Sequence, residues 1–503
     1  LRKPWVHRSV LPTLRPSRTV LTYETVILRP PLAWLLLSLF VTDAVVSAAQ
    51  TKPAQQLNRE FQIAVSQYDA GHFAEAAARL EELSRRIPES FEVQELLGLA
   101  YSAQSQDTNA TDHFEKAVHL KPNSAPARTN LATNLMHLKK VVPAEAEFRR
   151  AVELEPRNFE ANHDLGEFYV ETEKLTEARS FLVEAQRINP SSYDNGYDLS
   201  LCDFLTGRVR DARTLVSDLL KRKDTAELHN LLGEIEEKDG KFVAAANEFE
   251  TAARMDPSES NLFDWASELL LHRTLDPAIV VFRDAAERYP KSPRLAIGLG
   301  LAFYSRGNYD DAVKSLLRAA DLSPSDARCY LFLSKAYDSS PSHASEVIER
   351  FRHFAELQPQ DPQAPYYYAM SLWKGRRTQD ARVDIDQIES LLKKAIALAP
   401  DFAEPHLQLG NLYSDQTKYA EAIPEYKIAL EHNSNLPDAH YRLAQAYVHT
   451  RQKDLAQGQF DIYQQLRAQH LAELDKQRAE IRQFVYSEKD RPFHQGDVQA
   501  VSP

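Results

Sequence analysis

Residues 159–190 read FEANHDLGEFYVETEKLTEARSFLVEAQRINP, and residues 91–122 read FEVQELLGLAYSAQSQDTNATDHFEKAVHLKP. Both stretches have one grammar, with matching residues at matching offsets. Leu165-Gly166, Tyr169, Ala178, Leu182, Ala185 and Pro190 stand where Leu97-Gly98, Tyr101, Ala110, Phe114, Ala117 and Pro122 stand in the other. The apolar residues at offsets 4, 7, 8 and 11 fall on one side of a first helix, and those at 20, 24 and 27 fall on one side of a second. Glycine or alanine at 8 and alanine at 20 remove bulk where the two helices meet, so their axes can approach closely. A proline at 32 ends the pattern, because it lacks the N–H and crowds the preceding turn. A single such hairpin cannot bury its apolar face, so copies must stack on one another.

Outward from these windows the prolines make a ruler: Pro88, Pro122, Pro156, Pro190, Pro257, Pro290, Pro324, Pro359 and Pro400, mostly 33–35 residues apart. The gap from Pro190 to Pro257 holds two periods, with Asp224 where a proline is expected. The windows from Ala226 (Leu232-Gly233), Pro293 (Leu299-Gly300) and Ala403 (Leu409-Gly410) repeat the grammar, and offset 20 is alanine in ten of twelve windows. Repeat five is the weakest, with Ser200, Val216 and Asp224 at key offsets. Repeat nine carries one extra residue near 339–345. Repeat ten carries about seven extra in 374–387 and has Ile388 at offset 20, so a protruding loop is expected there.

This pattern resembles the tetratricopeptide repeat (TPR) family over roughly Leu57 to Tyr463, although the family's tryptophan at offset 4 is missing throughout. The resemblance implies an all-α, right-handed superhelical solenoid of about twelve helix-turn-helix repeats. The charged amphipathic segment 467–487 is expected to cap its open apolar end. Residues 50–56 are expected to be a linker, 57–466 the array, and 488–503 a disordered tail.

Residues 1–49 read as a basic leader followed by a signal peptide. The apolar core LAWLLLSLFV (32–41) follows Arg29 and leads to the small residues Ser47, Ala48 and Ala49. The core is too short to span a bilayer comfortably, so no stable membrane span is expected once the signal is cleaved. The expected destination is the periplasm or the extracellular space of a bacterium.

The net charge is −12; residues 1–48 hold six basic and two acidic side chains, leaving −16 for the rest. Nucleic acid is an unsuitable partner for such a surface, because its binding depends on phosphate neutralisation by Lys and Arg. Two cysteines, Cys202 and Cys329, are too few for a disulfide framework or a structural zinc site. No phosphate loop, zinc-protease helix or nucleophile elbow is present. The sixteen histidines are scattered one or two per repeat and read as surface or stripe positions. No catalytic residue, metal or cofactor is expected.

The resemblance further implies that offsets 2, 5, 9, 12 and 13 of the first helices line a concave groove. In repeats four to six these offsets include Glu160, His163, Glu167, Tyr197, Glu227, Asn230 and Glu234. In repeats seven to ten they include Phe263, Ile297, Tyr304, Tyr366 and Trp373. A groove that is acidic and then apolar suits a protein or peptide partner with a basic stretch and apolar anchors. The expected role is a non-enzymatic scaffold or adaptor. The alternatives are a substrate-recognition arm of a separate enzyme such as a glycosyltransferase, and a self-assembling structural protein that packs as a homo-oligomer.

Overall fold

The computed structural model describes residues 52–340, 343–375 and 384–469, and every regular element among them is an α-helix. The helices pair into twelve hairpins. The first five are Lys52–Asp69 with Phe73–Arg86, Phe91–Ser102 with Asp107–Leu120, Ala125–His137 with Val141–Leu154, Phe159–Glu171 with Leu175–Ile188, and Tyr193–Leu205 with Val209–Leu220. Hairpins six to nine are Ala226–Lys238 with Phe242–Met255, Glu259–Leu271 with Leu275–Arg288, Pro293–Arg306 with Tyr309–Leu322, and Ala327–Ser339 with Ala344–Leu357. Hairpins ten and eleven are Gln363–Gly375 with Ile385–Leu398, and Ala403–Asp415 with Tyr419–His432. Hairpin twelve pairs Pro437–His449 with a helix over 453–469.

The chain divides into two compact units, hairpins one to five and hairpins six to twelve, with the division between Asp224 and Thr225. This is the point where the proline ruler skips a mark. Within each unit every helix packs on the next, and several first helices also touch the first helix of the following hairpin. Each unit is thus a solenoid whose first helices stand side by side.

Local chemistry sets the helix ends. The residue before each ruler proline closes a second helix, as Ile87, Lys121, Glu155 and Asn189 do, because a pre-proline residue is pushed out of the helical region. The next helix then opens on a side-chain cap. Ser90, Ser124, Asn158, Ser192, Thr225, Ser258, Ser292 and Asp326 each accept a hydrogen bond from a backbone N–H in the first turn. Within each described hairpin turn one residue takes a left-handed conformation. It is glycine at 71, 207, 240 and 307, but Ser105, Lys139, Glu173, Arg273, His343, Thr417 and Arg451 elsewhere.

The close helix approach expected at offset 8 is present, and the residue met there is the one at offset 24. A Cβ added at Gly166 would lie 2.6 Å from Leu182, and one at Gly300 would lie 2.6 Å from Leu316. The offset-20 residues are sealed, Ala178, Ala312 and even Ile388 being wholly buried.

Residues expected to form a linker are helical from Lys52 onward, because the first helix extends one turn ahead of the repeat grammar. The signal segment, the tip of the repeat-ten loop (376–383), most of the capping segment and the tail lie outside the described residues. No helix among the described residues is long and apolar enough to cross a membrane.

Candidate protein-interaction surface

Offset 4, where the family's tryptophan is missing, explains how successive hairpins are tied. In hairpins two, three, four, nine, eleven and twelve the side chain there reaches back six residues to the carbonyl of the preceding turn, usually that of the ruler proline. Gln94 Nε2 donates to Pro88 O (3.0 Å), Arg128 Nε to Pro122 O (2.9 Å), Asn162 Nδ2 to Pro156 O (3.0 Å) and the Tyr330 hydroxyl to Pro324 O (2.9 Å). His406 and His440 do the same through Nε2, to Pro400 O and Ser434 O. Several offset-4 side chains bond a residue nineteen positions on, in the second helix of their own hairpin. Gln94 meets His113, Arg128 meets Glu147, His229 meets Glu248, His406 meets Glu425 and His440 meets Gln459. A polar side chain at offset 4 therefore links turn, first helix and second helix. The three histidines at this offset are structural ties and do not line a groove.

The first-helix face of hairpins one to five is acidic and amide-rich. Glu95 is 5% exposed and accepts from Asn130 Nδ2 at 3.1 Å; burial pushes its carboxyl up to about 7. Asn134 donates to Asp107 O and to Thr111. In hairpin four Glu160 is exposed and His163 and Glu167 are half-buried; in hairpin five Tyr197 is half-buried. The His163 ring stacks on Phe159 at 5.6 Å, and its Nδ1 lies 3.9 Å from Asp198 Oδ2. One ligand atom from each of His163, Asp164 and Glu167 lies within 4.8 Å of the others. Asp164 and Asp198, at offset 6, were not among the expected groove residues; what they share is their place beside offset 5 on the turn that faces the neighbouring first helix.

In hairpins six to twelve, Glu227, Asn230 and Glu234 are half-buried. Asn230 Nδ2 donates to Asp264 Oδ2 at 3.0 Å, which ties hairpin six to hairpin seven. The apolar half of the expected groove needs correcting. Ile297 and Trp373, expected as exposed anchors, are only 8% and 9% exposed and belong to the core clusters. Large apolar side chains at offsets 5 and 12 fold into the seam between adjacent first helices, where burial is worth more than exposure. Phe263, Tyr304 and Tyr366 are half-buried and pack against the same cores. Phe263 is flanked by the Phe282 ring and covered by the Arg294 guanidinium at 4.9 Å. Leu271, at offset 13 of its repeat, is 60% exposed at the end of its helix.

Both cysteines are buried free thiols. Burial pushes Cys202 up to about 11 and Cys329 up to about 12, which makes both poor nucleophiles at neutral pH.

The tetratricopeptide repeat family model matches residues 61–125, 143–193, 206–260, 263–327 and 407–470, together more than half of the chain. The chain belongs to the tetratricopeptide repeat family. Arrays of this family act as non-catalytic scaffolds, and this protein is a protein–protein interaction module. Among curated relatives it is similar to human "Protein O-mannosyl-transferase TMTC3", 24% identical over 204 residues, covering 39% of this chain and 21% of that protein. It is also similar to "TPR repeat-containing protein YpiA" of Bacillus subtilis (strain 168), 24% identical over 234 residues, covering 46% of this chain and 53% of that protein. The TPR array thus spans about a fifth of the transferase and about half of YpiA. Among solved structures it is similar to PilW, a type IV pilus biogenesis factor, at 20% identity and a TM-score of 0.37, covering 42% of this chain and 96% of that one.

Proposed function

We propose that this TPR array is exported to a bacterial envelope and holds a protein partner whose basic segment is followed by apolar anchors. The observation that carries this reading is the succession of side chains on the first helices of hairpins six to eight. Glu227, Glu234 and Glu237 on hairpin six are followed by Leu270 and Leu271 on hairpin seven and by Leu301 and Tyr304 on hairpin eight. Carboxylates steer a basic partner toward the surface, and partly exposed leucines supply area for anchors. The signal-like segment 32–49 supports export.

The test is crosslinking in whole cells followed by mass spectrometry of captured proteins. Reversing charge with Glu227→Lys and Glu234→Lys, or removing an anchor with Leu271→Ala, is expected to lower recovery of the main partner about ten-fold. Equal recovery from wild type and both variants would dismiss the groove. Export is checked by protease accessibility in spheroplasts and by an intact mass lacking residues up to about 49.

A second reading, a substrate-recognition arm serving a separate glycosyl-transferring enzyme, is favoured by the similarity to TMTC3. It predicts that the captured partner is a transferase. Self-association into a homo-oligomer predicts light-scattering masses that rise with concentration.

A further inference from the structure

The half-buried patch on hairpin four differs from the rest of the acidic surface in chemistry and in pairing. His163 and Glu167 are four residues apart and share a helix face, the spacing by which one helix presents two ligands to one ion. Asp164 adds a carboxylate from the adjoining position, so that one ligand atom from each of the three lies within 4.8 Å of the others. Asp198, on the first helix of hairpin five, lies beside this group, its Oδ2 3.9 Å from His163 Nδ1. That separation is too long for a hydrogen bond.

His163 Nδ1 is buried and has no hydrogen-bond partner, although the ring is held in place by its stack on Phe159. Among the described residues, neither Asp164 nor Glu167 has a salt-bridge partner. The patch is therefore a set of nitrogen and oxygen ligands with excess negative charge and an orphaned ring nitrogen. A dication would relieve both.

We propose that His163, Asp164 and Glu167 form a binding site for a divalent transition-metal ion of the zinc type. An imidazole with carboxylates selects such an ion over calcium or magnesium, which take oxygen ligands. Zinc bonds of about 2.0–2.2 Å set ligand–ligand edges of about 3.4 Å, so binding draws the three ligand atoms closer together than they lie without an ion. None of its ligands is among the residues proposed to bind the partner on hairpins six to eight.

The test is titration of the purified full chain with Zn²⁺ against a chromophoric chelator, together with Co²⁺ absorption spectroscopy. One ion per chain is expected at the tightest site, with a rise in melting temperature on binding. His163→Ala and Glu167→Gln are each expected to weaken that site at least about ten-fold and to abolish the melting shift. His113→Ala, whose histidine bonds Gln94 at 2.7 Å, is expected to leave the site unchanged. Glu167→Gln is nearly isosteric, so circular dichroism of this variant separates loss of ligand from loss of fold. Binding of equal strength in wild type, His163→Ala and Glu167→Gln would overturn the site. So would a patch that binds basic peptides in a salt-sensitive way while Co²⁺ gains no ligand-field bands. Failure of the crosslinking test with normal metal binding would instead leave this site standing and remove only the partner surface.

Discussion

Glu95 shows how one residue can work against the fold that contains it. Its carboxyl is buried, with Asn130 as a hydrogen-bond donor, and burial moves its titration from the ordinary 4.5 up to about 7. Between those values the folded chain keeps a proton that the unfolded chain has lost, so stability falls as pH rises through this window. Glu95→Gln keeps the acceptor for Asn130 and removes the ionisation. The variant is expected to be more stable than wild type at pH 8 by roughly 1–3 kcal/mol, and close to it at pH 4.5. Urea denaturation at both pH values checks this. A variant no more stable at pH 8 would mean that Glu95 is well solvated. The reason for the missing tryptophan is also found at this scale. Offset 4 need not carry an indole when Gln94, Arg128 or His406 can join a turn carbonyl to the second helix by hydrogen bonds.

At the scale of a helix and its turn, two effects of opposite sign can be separated. Gly300 lies against Leu316 so closely that a Cβ would sit 2.6 Å from the branching carbon of that side chain. Gly300→Ala gains about 1 kcal/mol of helix propensity but must push two packed helices apart, at a cost of about 1–3 kcal/mol. A net loss of up to about 2 kcal/mol is expected in chemical denaturation. Glu173 is exposed and its φ is +60°, a conformation that a side chain makes costly. Glu173→Gly is expected to stabilise hairpin four by up to about 1 kcal/mol. A lower melting temperature for Glu173→Gly would show that its side chain contributes more than its backbone strain removes.

For the whole molecule, the division at Asp224 coincides with the weakest repeat. A solenoid's stability is approximately the sum of its hairpins and their nearest-neighbour interfaces, so a cut between units should leave each with most of its own terms. A fragment covering residues 52–224 is expected to show helical circular dichroism per residue close to that of the full array and a cooperative melt. An unfolded or aggregated fragment would mean that the first five hairpins depend on hairpins six to twelve for their stability.

The sequence by itself determined the hairpin count, the helix boundaries at the prolines and the close helix approach at the small residues of offsets 8 and 20, because each is set by residues within one 34-residue window. It also determined the family. Tertiary structure alone decided which offset-5 and offset-12 side chains remain on the surface: Ile297 and Trp373 look like Tyr304 in the repeat pattern, yet both are taken into the core by the neighbouring hairpin. The same is true of the left-handed turns at Lys139 and Glu173, where hairpin closure imposes a conformation that neither residue favours. It is true as well of Asp198, 35 residues from His163 in the chain and 3.9 Å from it in space. Local periodicity fixes what a repeat is. Only the stacking of one repeat on the next fixes which of its side chains are left to bind something else.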